Sequence, residues 1–123
     1  MREFLRRHTI SFTHAFDGLC WAIRTQPNFR VHLTLSFIAL LLSWYLAVSF
    51  TEVIIIVFTI ILGLTCEMIN TSLEAMTDLI TTEYKKEAKI AKDVAAGMML
   101  LTAMSAVIIA VLVFGPRLVQ LFS

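Results

Sequence analysis

One segment of the sequence carries acidic and amide side chains at spacings that bring them together on a helix. Glu67, Asn70, Glu74 and Asp78 are separated by three, four and four residues. At about 100° per residue they fall within an arc of about 80°, and they extend over about 16 Å along the axis. Three carboxylates and one amide therefore form a polar stripe. Their oxygens suit a hard cation such as Mg²⁺, which usually keeps waters and phosphate oxygens as further ligands.

This stripe belongs to an unusually apolar chain. Of its 123 residues, 59% are hydrophobic and 15% are charged, and the mean hydropathy is +0.84. A soluble domain of this size typically has about 45–50% apolar and about 25% charged residues. The composition argues against a soluble globular domain and excludes a disordered chain. A net charge of +1 gives no support to a nucleic-acid partner.

Three segments are candidates for crossing a membrane. Residues 33–50 and 94–114 contain no charged side chain and are 18 and 21 residues long, close to the ~20 residues that a bilayer requires. Residues 53–66 are long enough only if the span continues to residue 73 and includes Glu67. A carboxylate at that depth is expensive and usually functional. A buried structural ion pair is the alternative interpretation.

The basic residues indicate the orientation of these spans. Residues 1–30 hold five arginines, residues 78–93 hold four lysines, and Arg117 is the tenth basic residue. Nine of the ten therefore fall on one side, which the positive-inside rule makes cytoplasmic. We expect a multi-pass protein of the bacterial cytoplasmic (inner) membrane. Its N-terminus would be inside, its C-terminus outside, and its polar site at the cytoplasmic face.

The predicted fold is an all-α integral membrane domain that comprises the whole chain, residues 1–123. Phe12, Phe16, Leu19 and Ile23 recur at helical spacing behind a basic leader, which is typical of an amphipathic helix at the membrane surface. Pro27 then permits a new helix to start. The predicted elements are a surface helix at about 1–26, spans at about 30–50, 53–75 and 94–114, and a short cytoplasmic helix at about 82–92. Thr81 or Thr82 would cap this last helix, which would continue into the third span.

A second polar cluster lies just before the last predicted span. Lys92 can bind a phosphate as a point charge, and the adjacent Asp93 can hold a metal or orient that lysine. Lys92 alone could also be an interfacial lysine that extends its ammonium to water. The sequence contains neither a GxxxxGK[ST] nor a GxGxxG glycine motif. Nucleotide chemistry here would depend on metal, lysine and carboxylates.

These motifs resemble the prokaryotic diacylglycerol kinase family, which includes the undecaprenol kinases. The first is E-x-x-N-[ST]-x-x-E-x-x-x-D, which begins here at Glu67 and ends at Asp78. The second is A-K-D-x-x-A-[AG], in residues 91–97. The stretch Asn28-Phe-Arg-Val-His32 is also similar to the family's N-terminal motif and is nearer the undecaprenol branch. The resemblance covers essentially the whole chain.

The resemblance implies a transferase of phospholipid metabolism that moves the γ-phosphate of MgATP to the hydroxyl of a membrane lipid. The acceptor would be diacylglycerol, giving phosphatidic acid, or undecaprenol, giving undecaprenyl phosphate. In family terms Glu67 matches the general base, and Glu74 matches a ligand of Mg²⁺ and ATP. The other implied cofactor-binding residues are Asn70, Asp78, Glu83, Tyr84, Lys85, Lys92, Asp93, Arg7 and His14. Family members are homotrimers whose sites are completed between subunits.

One residue departs from the family pattern. A glutamate that serves as a second metal ligand often precedes the Phe-Arg pair by three residues, and this chain has Gln26 there. Gln26 is therefore a predicted metal ligand that offers a neutral oxygen. Less negative charge would lie next to Mg²⁺, so weaker metal affinity is expected.

Two other function classes compete with a lipid kinase. A small non-catalytic membrane assembly protein could use its carboxylates only to pair helices. A cation channel or carrier would also place carboxylates inside the membrane, but it would leave Lys92 and Asp93 without a role. Phosphorylation of a lipid by ATP distinguishes the first two classes.

Overall fold

The fold is known from a computed structural model, which describes the backbone of residues 2–123 and the side chains of residues 12–121 and 123. The described backbone forms helices and contains no strand, which confirms the predicted all-α class. In chain order the helices are α1 (Arg2–Thr25), α2 (Pro27–Tyr45), α3 (Phe50–Ile80) and α4 (Lys86–Phe122).

Helices α1 and α2 are separated by a single extended residue. Gln26 has φ −98° and ψ 108° and precedes Pro27, the first residue of α2. Proline suits that position because its fixed φ is helical and its missing N–H would have no helical partner there. Phe12 and Phe16 of α1 are exposed. An apolar exposed face fits the predicted surface helix, and its binding to a membrane stays a prediction.

A tight turn reverses the chain between α2 and α3. The N–H of Ala47 donates to the carbonyl of Trp44, and the N–H of Val48 donates to that of Ser43. These two bonds form a Schellman motif, in which the residue after the helix cap is left-handed and is usually glycine. Here that residue is Ala47, with φ +47°. Its Cβ makes this conformation strained.

Replacing Ala47 by glycine should therefore stabilise the protein. We expect Ala47→Gly to raise the free energy of unfolding by about 1 kcal/mol, because glycine adopts a left-handed conformation without steric penalty. Thermal or denaturant unfolding in detergent would measure the change. Ala103→Gly, inside α4, is the matched control and should instead destabilise by about 1 kcal/mol. Equal losses in both variants would mean that Ala47 is not strained.

Helices α3 and α4 form the main packed unit. Ile56 of α3 and Val113 and Phe114 of α4 are buried together and form a small apolar cluster. Nearby, Glu52 accepts hydrogen bonds from both terminal nitrogens of the Arg117 guanidinium, at 2.7 and 2.8 Å. The N-terminus of α3 is thereby fixed to the C-terminal part of α4, so the two helices are antiparallel.

Two of the described helices, α3 and α4, are long and apolar enough to cross a membrane. Helix α2 does not meet the same criterion, because its 19 residues include Asn28, Arg30 and His32 near its start. The predicted crossing by residues 30–50 therefore stays a prediction. The all-helical fold with two such helices is consistent with an all-α membrane protein.

The structure corrects one predicted boundary. The predicted cytoplasmic helix and third span form one continuous helix, α4, as expected, but its N-cap is Lys85 and not Thr81 or Thr82. Thr81 does not cap α4 but forms the C-cap of α3. Residues 86–96 are mostly lysine, glutamate and alanine, which favour a helix, and no proline or glycine interrupts them. The polar surface segment and the apolar span are therefore continuous.

Candidate active site

Glu67 is the most deeply buried residue of the polar stripe. Only 2% of its surface is exposed, and it lies close to the middle of α3, just after a long apolar stretch. Its Oε2 is buried without a hydrogen-bond partner among the residues that the structure describes. A buried polar atom without a partner is costly and rare. Such a carboxylate is therefore available to accept a proton or a hydrogen bond from a bound molecule.

Asn70 lies one turn further along α3 and connects the buried part of the stripe with its exposed part. It is 7% exposed, and its Nδ2 donates to Oε1 of Glu74 at 3.1 Å. This bond fixes which end of the amide faces Glu74. Its Oδ1 is left buried, again without a partner in the described part of the chain. Two acceptor oxygens, one from Glu67 and one from Asn70, are thus unpartnered on neighbouring turns.

The residues at Glu74 fit a magnesium ion that is shared with a phosphate. No group of three or more His, Cys, Asp or Glu side chains comes together as a metal site among the described residues. Mg²⁺, however, is usually held by one or two carboxylates and takes its remaining ligands from phosphates and water. The exposed carboxylate of Glu74 and the unpartnered Oδ1 of Asn70 provide oxygens of this kind.

The second polar cluster is joined to the stripe. Lys92 of α4 donates to Oδ1 of Asp78 at 2.5 Å, so the end of the stripe meets the start of α4. The neighbouring Asp93 pairs with Lys89 in its own helix. All four side chains are exposed to a substantial degree. The structure therefore brings Asp78 and Lys92 into direct contact, while Asp93 points to a different partner.

The turn between α3 and α4 contains three of the predicted nucleotide residues. Its backbone is held locally, since the N–H of Glu83 donates to the hydroxyl of Thr81 at 3.1 Å. Lys85 lies 3.5 Å from a carboxylate oxygen of Glu83. Tyr84 is accessible to a ligand, with 80% of its surface exposed. The turn thus presents an aromatic ring, an ammonium and a carboxylate beside the end of the stripe.

Two other predicted site residues, His14 and Gln26, lie apart from the stripe among the described side chains. His14 is exposed on α1. Gln26, at the N-cap of α2, uses its Nε2 to contact the hydroxyl of Thr25 at 3.4 Å. No described hydrogen bond or ion pair links either of them to α3. The side chain of Arg7 lies outside the described residues.

Sequence reasoning overlooked the interaction at the opposite end of α3. Besides binding Arg117, Glu52 accepts a hydrogen bond from the N–H of Ser49 at 2.7 Å and completes a capping box. The pattern Ser-Phe-Thr-Glu at residues 49–52 is the sequence signal of such a cap. It would have identified Glu52 as a structural residue rather than a free carboxylate.

The fold and site together define a class: a small all-helical membrane protein with a carboxylate-rich helix and a lysine beside it. A family model described as prokaryotic diacylglycerol kinase matches residues 13–114. The chain belongs to this family, which confirms the resemblance that its motifs indicated. It is accordingly a member of a family of bacterial membrane lipid kinases.

Individual relatives are similar over most of the chain. An undecaprenol kinase of Bacillus subtilis is 37% identical over 118 residues, which are 95% of each protein. A diacylglycerol kinase of Synechocystis is 36% identical over 113 residues, 91% of this chain but only 65% of that protein. A diacylglycerol kinase of Helicobacter pylori is 34% identical over 85 residues, 69% of this chain and 66% of that protein.

Proposed function

We propose that the protein is a lipid kinase that transfers the γ-phosphate of MgATP to the hydroxyl of diacylglycerol or undecaprenol. The observation that carries the proposal is the buried Oε2 of Glu67, which has no partner among the described residues. It lies on the same helix face as the oxygens of Asn70 and Glu74. Membership of the kinase family and the names of the relatives support the same reaction class.

The chemistry follows from these positions. The hydroxyl oxygen of the lipid attacks the γ-phosphorus, the bond from that phosphorus to the β–γ bridging oxygen breaks, and ADP leaves. Glu67 accepts the proton of the attacking hydroxyl. Phosphoryl transfer requires little covalent help from a protein and depends mainly on positioning and charge neutralisation. A carboxylate without a competing donor is well suited to orient an incoming hydroxyl.

The nucleotide would be bound at the cytoplasmic end of the stripe. Glu74 and Asn70 would hold Mg²⁺, which when bound neutralises phosphate charge. Lys92 would contribute a second positive charge, and the turn at residues 83–85 would contact the rest of the nucleotide. The lipid would approach from the side, with its hydroxyl at the membrane interface near Glu67.

We further propose that the chain crosses the inner membrane three times and acts as a homotrimer, with its N-terminus and site on the cytoplasmic side. Within one chain the stripe is only half enclosed, because Glu67 and Asn70 are buried while Glu74 and Asp78 are exposed. A neighbouring subunit would cover the exposed half. It would also bring Gln26, Arg7 or His14 from another chain to the site.

A direct assay tests the proposed reaction and identifies the acceptor. Purified protein in mixed micelles would receive labelled MgATP together with equal amounts of diacylglycerol and undecaprenol. We expect ATP-dependent phosphorylation of at least one lipid, and the ratio of the two products would assign the preferred acceptor. Absence of product with both lipids, in protein that is folded by circular dichroism, would reject the proposal.

A non-catalytic assembly protein is the alternative to a kinase. Two ion pairs, Glu52–Arg117 and Asp78–Lys92, do join α3 to α4 as that alternative requires. Glu67 does not, because its Oε2 has no partner in the described part of the chain. The residue most expensive to place in the membrane thus gains nothing from helix pairing, which favours the kinase.

The departure at Gln26 leads to a testable expectation. If residue 26 contributes to the magnesium site of a neighbouring subunit, Gln26→Glu should lower the Mg²⁺ concentration needed for half-maximal activity, since a charged oxygen replaces a neutral one. Titrating Mg²⁺ at fixed ATP in both proteins would measure this. Identical titration curves would remove Gln26 from the metal site.

A further inference from the structure

The ion pair between Asp78 and Lys92 joins α3 to α4. The other ion pairs at this end of the described structure each join residues that are close in sequence. Lys92 Nζ lies 2.5 Å from Asp78 Oδ1, although 14 residues separate them in sequence. Lys89 and Asp93 are one turn apart in α4, and Glu83 and Lys85 share the turn. Asp78 therefore sets the position of the Lys92 ammonium relative to α3 and its stripe.

The chemistry of the two groups separates their roles. A lysine ammonium has three N–H donors, and Lys92 donates one of them to Asp78. Two donors remain, and 43% of the Lys92 side chain is exposed, so phosphate oxygens can reach it. A carboxylate facing a phosphate would repel it. Asp78 is thus unsuited to touch the phosphates but well placed to restrain the lysine that does.

We propose that Asp78 is a positioning residue. It holds the Lys92 ammonium toward the cytoplasmic end of the stripe, where the phosphates of MgATP bind, and does not itself contact the nucleotide. This inference rests on the proposed lipid kinase function and specifies how its phosphate lysine is prepared. A free lysine side chain samples many rotamers. Restraint by Asp78 before binding therefore reduces the loss of conformational entropy that nucleotide binding has to overcome.

Asp78→Asn tests this role by removing the charge while keeping the shape. We expect MgATP binding to weaken about 5-fold, the upper range for coupling through an exposed ion pair, while kcat at saturating MgATP stays within roughly twofold. Asp78→Glu should restore binding to within roughly twofold. A merely structural role would give the opposite pattern, with a lower melting temperature, a smaller kcat and unchanged nucleotide affinity.

A double-mutant cycle links the effect to Lys92. Lys92→Gln should weaken MgATP binding more than Asp78→Asn does, and the double variant should bind no worse than Lys92→Gln alone, because Asp78 acts only through that lysine. Additive losses would overturn the proposal. Glu87→Gln is the matched control and should leave binding unchanged, since it removes an exposed carboxylate near the start of α4 that has no ion pair among the described side chains.

Two readouts keep the inference distinct from the proposed function. MgATP affinity is measured on the full chain in detergent without lipid, and lipid phosphorylation is measured separately. Wild-type protein that binds MgATP but phosphorylates no lipid would reject the kinase while the affinities of the variants still decide the role of Asp78. Wild-type protein that binds no MgATP would reject both. An active wild type with unaltered affinity in Asp78→Asn would reject only the role of Asp78.

Discussion

Glu67→Gln should lower lipid kinase turnover by about 100- to 10,000-fold, the range typical for loss of a general base. Glutamine has the shape of glutamate but cannot accept the proton of the attacking hydroxyl. Because Oε2 of Glu67 has no partner to lose in the described chain, the substitution should leave the fold intact. Steady-state phosphorylation of the preferred lipid at saturating MgATP would measure kcat.

The expected selectivity of this variant makes the test decisive. MgATP affinity should stay near the wild-type value, since Glu67 lies about two turns from Glu74 and about three turns from Asp78, the partner of Lys92. The thermal midpoint should not fall, and it should rise if a buried carboxylate is costly to the folded protein. Turnover within a few-fold of wild type would show that another group takes the proton.

The second large effect is expected at Glu74. Glu74→Gln should raise the Mg²⁺ concentration for half-maximal activity by at least about 10-fold, since changes that merely support a metal ligand already reduce affinity about 10- to 100-fold. Glutamine can still accept the hydrogen bond that Asn70 donates to Oε1. The charge is therefore removed while the local geometry is retained. Activity measured against Mg²⁺ at fixed ATP would give the shift.

A variant of the neighbouring residue provides the comparison for Glu74. Asn70→Ala removes both the donor to Glu74 and the unpartnered Oδ1 but leaves the charge of Glu74 in place. It should lower activity with a smaller change in the Mg²⁺ requirement than Glu74→Gln. A larger Mg²⁺ shift in Asn70→Ala would indicate that the amide, and not the carboxylate, is the main ligand.

The stripe itself was accessible to sequence reasoning because helical periodicity determines which side chains share a face. Four polar residues at spacings of three and four could be placed on one surface of α3 without knowing what packs against it. That Glu67 is buried could also be expected from its apolar neighbours in sequence. These inferences need only one helix.

Tertiary pairing was not accessible in the same way. Lys92 meets Asp78, and not Glu83, which is nearer in sequence, or the adjacent Asp93. This choice depends on how α3 and α4 are juxtaposed. The strained conformation of Ala47 could not be predicted from the sequence either, because a Schellman motif is normally recognised by a glycine at this position. The start of α4 was placed too early because Thr81 and Thr82 have side chains typical of an N-cap, whereas the observed N-cap, Lys85, makes no side-chain cap hydrogen bond.

The two ion pairs between α3 and α4 also mark a fixed length along the two helices. Glu52 and Asp78 are separated by 26 residues along α3, and Lys92 and Arg117 by 25 along α4, so both intervals measure about 38 Å. This exceeds the hydrocarbon thickness of ~30 Å, so both charged pairs can lie outside the lipid tails at once. Neither helix can slip along the other without breaking them. In the proposed membrane orientation, a bilayer of another thickness would be accommodated by α3 and α4 tilting as one body or by a local change in the bilayer.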